Sequence, residues 1–410
     1  MAAHAEGGTP MPMDMEMDMG TDMASQFGPY PMSREGSGTA WQPEATPMHG
    51  LMFHSGSWMT MLHGFANTVY DRQGGPRGDE KTFTSSMLMV MASRPLGGGT
   101  LGLRSMLSLD PAMGRGGYPL LLQTGETANG VSALVDRQHP HDAFMELSAA
   151  YSIPIAAGSA AYLYAGLPGE PALGPSTFMH RFSGAVNPEA PLTHHWLDST
   201  HVTMGVVTLG ASAGPWKVEG SRFNGREPDQ NRWNIEIRRF DSSSARLSYN
   251  PSSRWSAQVS YGNLASPEGL EPEVRVRRTT ASVMYQAKLA DRAWGTTLAW
   301  GRNDKRAAGN DRKLDGWLLE SALELTGADT VFGRAERVNN DELFPDADPR
   351  HGDVAQVGKI TLGVIHDFAS TGPVKWGIGA LASAYRIPGA LQPSYGAHPR
   401  SFMVFLQGRL

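Results

Sequence analysis

The chain has 410 residues, no Cys, 48 Gly and only 18% charged side chains, a composition that fits many short strands better than a set of helical cores. The lack of Cys excludes disulfide scaffolds, thiol nucleophiles and thiolate-held zinc or iron–sulfur centres. The net charge of −5 sits at the front, where Glu6, Asp14, Glu16, Asp18, Asp22, Glu35 and Glu44 face Arg34 alone; the body is near neutral and lacks the basic footprint of a nucleic-acid binder.

The first element in chain order is a leader, residues 1–48. MAAHAEGG has no charged start followed by an apolar core, so no signal peptide is visible, and the chain is expected to be either a mature form or cytoplasmic. Few branched apolar residues and several Gly and Pro predict a disordered tail, because too little surface can be buried to offset ordering the backbone. Within it, MPMDMEMDM places Met11, Met13, Met15, Met17 and Met19 at every second position, with Met23, Met32, Met48 and His4 nearby. Thioethers are soft neutral ligands suited to Cu(I) or Ag(I), and a flexible Met-x-Met-x-Met run can wrap one ion without a preformed pocket. Asp14, Glu16 and Asp18 add a negative potential that favours a cation. Core filling does not explain these Met, since an acidic tail bearing Pro and Gly has no core.

From about residue 49 the pattern becomes alternation. In 244–250, Ala245, Leu247 and Tyr249 oppose Ser244, Arg246, Ser248 and Asn250, and the same dyad recurs in 255–262 and 280–289. Sixteen such segments are expected, near 57–70, 81–94, 100–109, 143–153, 160–167, 201–212, 216–224, 242–250, 254–263, 276–289, 294–302, 314–325, 330–338, 356–368, 374–386 and 401–410. The uncharged stretch 147–169 is interrupted by Pro154, Gly158 and Ser159 and predicts strand, turn, strand in place of a spanning helix. Short connections alternate strictly with long polar ones, as a transmembrane antiparallel up-and-down β-barrel requires. Both termini then lie on the turn side, expected to be the periplasm. Trp216, Trp255, Trp294 and Trp376 follow short turns, where girdle aromatics belong.

The two longest connections concentrate histidine. DRQHPHD supplies Asp136, Arg137, His139, His141 and Asp142; between 180 and 201 come His180, Arg181, His194, His195, Asp198 and His201. Imidazole with carboxylate suits Zn, Cu(II), Ni or Fe. Neighbouring strands lie about 4.8 Å apart, so strands that flank a single intervening strand bring their outer ends to roughly 10 Å. DRQHPHD and HHWLDSTH are therefore expected to face one another in the outer half of the lumen, with Arg137, Asp142 and Asp198 bridging between them. Two outcomes are open: a charged constriction involving Asp136, Arg137, Asp142, His180, Arg181 and Asp198, or a metal site drawing on His139, His141, His194, His195 and His201. Gly-rich stretches near residues 75, 97 and 115 have neither a following helix nor a Lys-Ser/Thr, so a phosphate loop is not expected.

In the last segment Phe402, Val404, Leu406 and Leu410 share one face, as in closing strands presented to the barrel-assembly machinery, although such strands usually end in an aromatic. A Met-rich acidic leader followed by a barrel of this size resembles the copper resistance protein B family of Gram-negative bacteria. The resemblance is specific in the leader and architectural in the body, and His is sparser in this leader than is common there. It implies residence in outer-membrane lipid, a role in copper tolerance by periplasmic capture or export, and periplasmic copper proteins as partners; it supplies no catalytic residues. The alternatives are a general or solute-specific porin and, further off, an outer-membrane hydrolase. The latter would use Ser183 or Ser199 near His195, His201 and Asp198, or a strand histidine such as His54, His63 or His366, but G-x-S-x-G is absent.

Overall fold

A computed structural model describes residues 24–307 and 311–410. Its strands are β1 (Leu51–Ser55), β2 (Trp58–Gln73), β3 (Glu80–Leu96), β4 (Gly99–Leu107), β5 (Tyr118–Thr127), β6 (Ala133–Gln138), β7 (Phe144–Ala156), β8 (Ser159–Gly166), β9 (Val206–Ala213) and β10 (Trp216–Phe223). They continue as β11 (Ser242–Ser252), β12 (Trp255–Ala265), β13 (Arg275–Leu289), β14 (Arg292–Arg306), β15 (Arg312–Glu324), β16 (Asp329–Asn340), β17 (Ala355–Asp367), β18 (Lys375–Arg386) and β19 (Arg400–Arg409). Sixteen of them, β2 to β4 and β7 to β19, pair antiparallel with their sequence neighbours and close into a barrel. Closure runs from Ser401 opposite Gln73 to Arg409 opposite Phe65, and the Leu410 N–H donates to Gly64 O at 2.9 Å. All sixteen overlap the expected segments.

The alternation explains which side faces what. Thr208 is 0% exposed and its neighbour Leu209 65%; Lys217 is 1% and Val218 57%; Thr361 is 0% and Leu362 67%. Polar side chains turn inward and are buried while branched apolar ones turn outward and are bare, the inverse of a soluble sandwich and the pattern of a lipid-facing barrel. Aromatic pairs mark the turn end: Trp216 stacks on Tyr249 at 4.1 Å and Trp255 lies 4.5 Å from Tyr285. Turns as tight as 97–98, 157–158 and 290–291 alternate with connections such as 108–143, 167–205 and 224–241. Some expected long loops are shorter, since strand pairing continues further: β13 and β14 remain paired up to Arg275 and Arg306. Among the described residues no helix is long and apolar enough to cross a membrane.

Four features lie outside the sequence-based expectation. β1 is a short strand that pairs with β2 below the end of β19. β5 and β6 form a separate hairpin, and 201–205 is not strand, since β9 begins only at Val206. Residues 24–48, expected to belong to the disordered tail, instead pack inside the turn-side half of the barrel. Phe27 lies 4.9 Å from Tyr162, Tyr30 meets Trp41 edge-on at 5.1 Å, and Glu35 pairs with Arg104 of β4 where both are buried. Those aromatics and that ion pair provide the burial and the polar satisfaction that hold 24–48 in place.

The lumen is filled by 24–48, by the connection containing β5 and β6, and by 167–205. The last of these carries two four-residue helices, α1 (Phe182–Ala185) and α2 (His194–Leu197). Wall charges that would otherwise be stranded are matched by these inserts: Lys359 reaches Glu189 at 2.7 Å, Arg334 donates to Glu189 O at 3.0 Å, and Arg246 donates to Gly174 O at 3.0 Å.

Candidate metal centre

The two histidine segments meet inside the long-loop half of the lumen. His139 follows β6 where the chain bends inward; His195 lies on α2, fixed to the wall by Asn303 Nδ2 donating to its carbonyl at 3.0 Å. The imidazoles stack nearly parallel, 6.1 Å apart at an interplanar angle of 10°. The third group is Glu227, from the loop between β10 and β11, and the ligand atoms of His139, His195 and Glu227 all lie within 4.8 Å of one another. Gly125, at φ +107°, makes room for this: a Cβ there would sit 2.3 Å from His195 Cε1.

The tautomers follow from the partners. His139 Nδ1 lies 3.1 Å from Pro140 O, and His201 Nδ1 lies 2.9 Å from Asp198 O. A carbonyl can only accept, so Nδ1 carries the proton and Nε2 keeps its lone pair. The Nε2 atoms of His139, His141, His195 and His201 are buried without a hydrogen-bond partner, a cost unless a ligand occupies them. Fixing one ring nitrogen to free the other is how metal-binding histidines are oriented. His141, His194 and His201 form an adjoining cluster, with ring separations of 5.3 Å for His141–His201 and 5.1 Å for His194–His201. Here Asp110 holds His141 at 2.9 Å and Asp198 holds His194 at 2.8 Å.

Electrostatics around His195 favour a cation. Burial, then Arg232 and His195, pushes His139 well below the usual histidine range, and burial lowers His195 too, leaving neutral imidazoles. Burial and the adjacent Glu227 raise Glu126 well above the carboxylate range, although Arg232 opposes this. Burial also opposes ionisation of Glu227, but His195 and hydrogen bonds from Glu126 and Ser199 hold it low. Glu268, like Glu126, is raised, by burial and by Glu227 and Glu342. Carboxyls crowded until some must stay protonated are relieved by a bound cation.

Other expected residues lie elsewhere. Arg137 does not bridge the histidine segments: it points to the rim, donating to Gly116 O at 2.7 Å and to Asp79 at 2.8 Å. Alternation along β6 turns it away from the bend that aims His139 inward. Asp136 pairs with Arg77 at 2.7 Å. Asp142 is not a bridge either, since it is taken by Arg232 at 3.0 Å. Asp198 stays within its own segment, bonded to His194 and, at 2.8 Å, to Arg181. His180 is no part of this constriction; it lies near His63 in the turn-side half, with ring centroids 6.0 Å apart. Ser183 is engaged by Thr297 and Glu320, and Ser199 by Arg278, in place of the histidine a hydrolase would require. His54 and His366 are exposed. Met11, Met13, Met15, Met17, Met19 and Met23 lie outside the described residues. Glu227 was missed because it comes from a third loop without any ligand-like spacing.

No protein-family model matches the chain, and no curated protein matches it. Solved structures do. OprB of Pseudomonas putida aligns with a TM-score of 0.53 at 8% identity, covering 86% of this chain and 94% of that one. An anion-selective porin from Comamonas acidovorans gives 0.51 at 11%, covering 86% and 100%. OmpF of Salmonella typhi, in complex with daunomycin, gives 0.51 at 9%, covering 88% and 100%. At these identities the likeness establishes the fold, an outer-membrane porin-type barrel.

Proposed function

We propose that this outer-membrane barrel binds transition-metal ions inside its filled lumen and contributes to copper tolerance. In this reading the Met11–Met23 leader captures Cu(I) in the periplasm, and His139, His195 and Glu227 hold a borderline ion such as Cu(II) or Zn(II) further along the barrel. The observation that carries it is the convergence of two imidazoles and a carboxylate, with ligand atoms within 4.8 Å of one another, where both histidines also leave a buried Nε2 without a hydrogen-bond partner. His141, His194 and His201 stand beside that point as further imidazoles, with Arg181 and Asp198 holding their segment in place.

The test is metal content and copper survival together. Protein purified in detergent and equilibrated with Cu(II) or Zn(II) should bind an ion that His195→Ala and Glu227→Gln lose. Deleting residues 1–23 should lower copper tolerance and leave small-solute permeability unchanged. Unchanged tolerance together with unchanged metal content would favour the second reading, a solute-selective porin, which the fold likeness to porins supports.

A further inference from the structure

A second chamber lies in the opposite, turn-side half of the lumen, with a volume of about 220 Å³. β3 sends Met87, Met89 and Met91 into it at alternate positions, while the intervening Leu88 and Val90 face outward, 43% and 38% exposed. β2 adds Met61 and His63, and the 167–205 insert adds Met179 and His180. Met32, Met48 and His49 line it from the N-terminal stretch 24–49.

Packing alone does not account for this lining. Porin lumens are polar, and where this barrel needs apolar bulk on its lipid face it uses Leu, Val and Ile. Met87, Met89 and Met179 pack into the surrounding apolar cluster and still border an open space of about 220 Å³, so part of each side chain is left facing that space. His180 Nε2 is buried with no hydrogen-bond partner. Glu35, also at the chamber wall, neutralises the nearby Arg104 through their ion pair. Neutral sulfur and imidazole donors on flexible arms are the donor set that a soft monovalent cation prefers over a hard one. The chamber is separate from the His139–His195–Glu227 point: Phe178 lies edge-on to His194 at 5.6 Å on one side, and the next two residues, Met179 and His180, face the chamber.

We propose that this chamber is a Cu(I) site, built from thioethers of β3 and the lumen insert together with an imidazole of His63 or His180. It rests on the copper reading for the choice of metal, whereas the site itself rests on the chamber. Because leader thioethers would compete, the background is the full chain with Met11, Met13, Met15, Met17, Met19 and Met23 each replaced by Leu. Ag(I) is the redox-inert probe, titrated against a chromogenic competitor in detergent. This chain should bind one Ag(I), and Met89→Leu with Met179→Leu, a volume-conserving pair, should weaken binding about ten-fold or more. His195→Ala and Glu227→Gln should leave Ag(I) binding unchanged while abolishing Cu(II) binding, so the two sites fail separately. No Ag(I) uptake by the background chain, or equal affinity in the Met89→Leu/Met179→Leu protein, would overturn the proposal. If that variant fails to assemble, X-ray absorption on the background chain decides: sulfur with imidazole nitrogen around silver supports the site, and oxygen or nitrogen donors alone refute it.

Discussion

Arg181 is the residue whose loss should unseat the lumen insert. It is 1% exposed; Nη1 lies 2.8 Å from Asp198 and 2.7 Å from Ser176 O, and Nε lies 2.7 Å from Glu320 on β15. One guanidinium thus joins the insert to itself and to the barrel wall. Arg181→Met keeps the stem but leaves two buried carboxylates short of a partner, and breaking a buried pair costs roughly 3–5 kcal/mol. Arg334 at 3.2 Å still serves Glu320 and His194 still serves Asp198, so the lower end applies. About 3 kcal/mol lowers the ratio of seated to released insert by roughly a hundred-fold. Single-channel recording in planar bilayers should show opening events about a hundred times more frequent, by the same arithmetic. Adding Glu320→Gln and Asp198→Asn, which removes the orphaned charges, should restore much of the closed state. An opening frequency equal to the parent's would refute the idea that buried ion pairs hold the insert.

The other expectations address the metal point and the N-terminal insert. Gly125→Ala places a methyl against the His195 ring at a backbone angle unfavourable to side chains; Cu(II) or Zn(II) uptake should be lost while the heat-modifiable mobility of the folded barrel is retained. Burial and Glu227 raise Glu126, and a cation arriving at Glu227 lowers it, so binding should release protons and strengthen as pH rises. In Glu126→Gln that release and that slope should disappear, as calorimetry in buffers of different ionisation enthalpy would show. Arg104→Met orphans the buried Glu35 carboxylate and should expose residues 24–48 to added protease, with the cleavage rate rising while barrel strands stay intact.

The barrel was legible because its rule is local. A period of two and a turn-or-loop alternation are present within any thirty residues, and a one-residue slip would turn every wall residue to the wrong side. The contents of the lumen were legible only in part, because they depend on partners distant in sequence. Phe27, Tyr30 and Trp41 follow no period, and they become a core only because Tyr162, Tyr164 and Arg104 are there to receive them. His139 and His195 could be brought together from topology, since one strand separates the strands that follow them. The contribution of Glu227 could not, because an isolated glutamate in a polar loop carries no spacing signal. The bridging expected of Arg137 and Asp142 failed for the same reason: their partners, Asp79 and Arg232, come from other loops.

Methionine is where a stronger signal was available. Met87, Met89 and Met91 repeat the Met-x-Met-x-Met spacing of the leader on a strand, where a period of two puts all three sulfurs on one face. In β3 that spacing fixes a direction, inward, and a rise of about 6.7 Å per repeat. Leu88 and Val90 between them show that the outward positions were supplied with ordinary lipid-facing residues. Thioethers therefore occupy the lumen side by position and not by a general preference for Met. The soft donors lie in the turn-side half, where Ala24 joins the leader to the barrel, and the imidazole–carboxylate donors lie beyond Phe178 in the long-loop half. Under the copper reading, a soft ion held by thioether and imidazole on the turn side and a borderline ion held by His139, His195 and Glu227 beyond Phe178 would occupy two separate sites along one lumen.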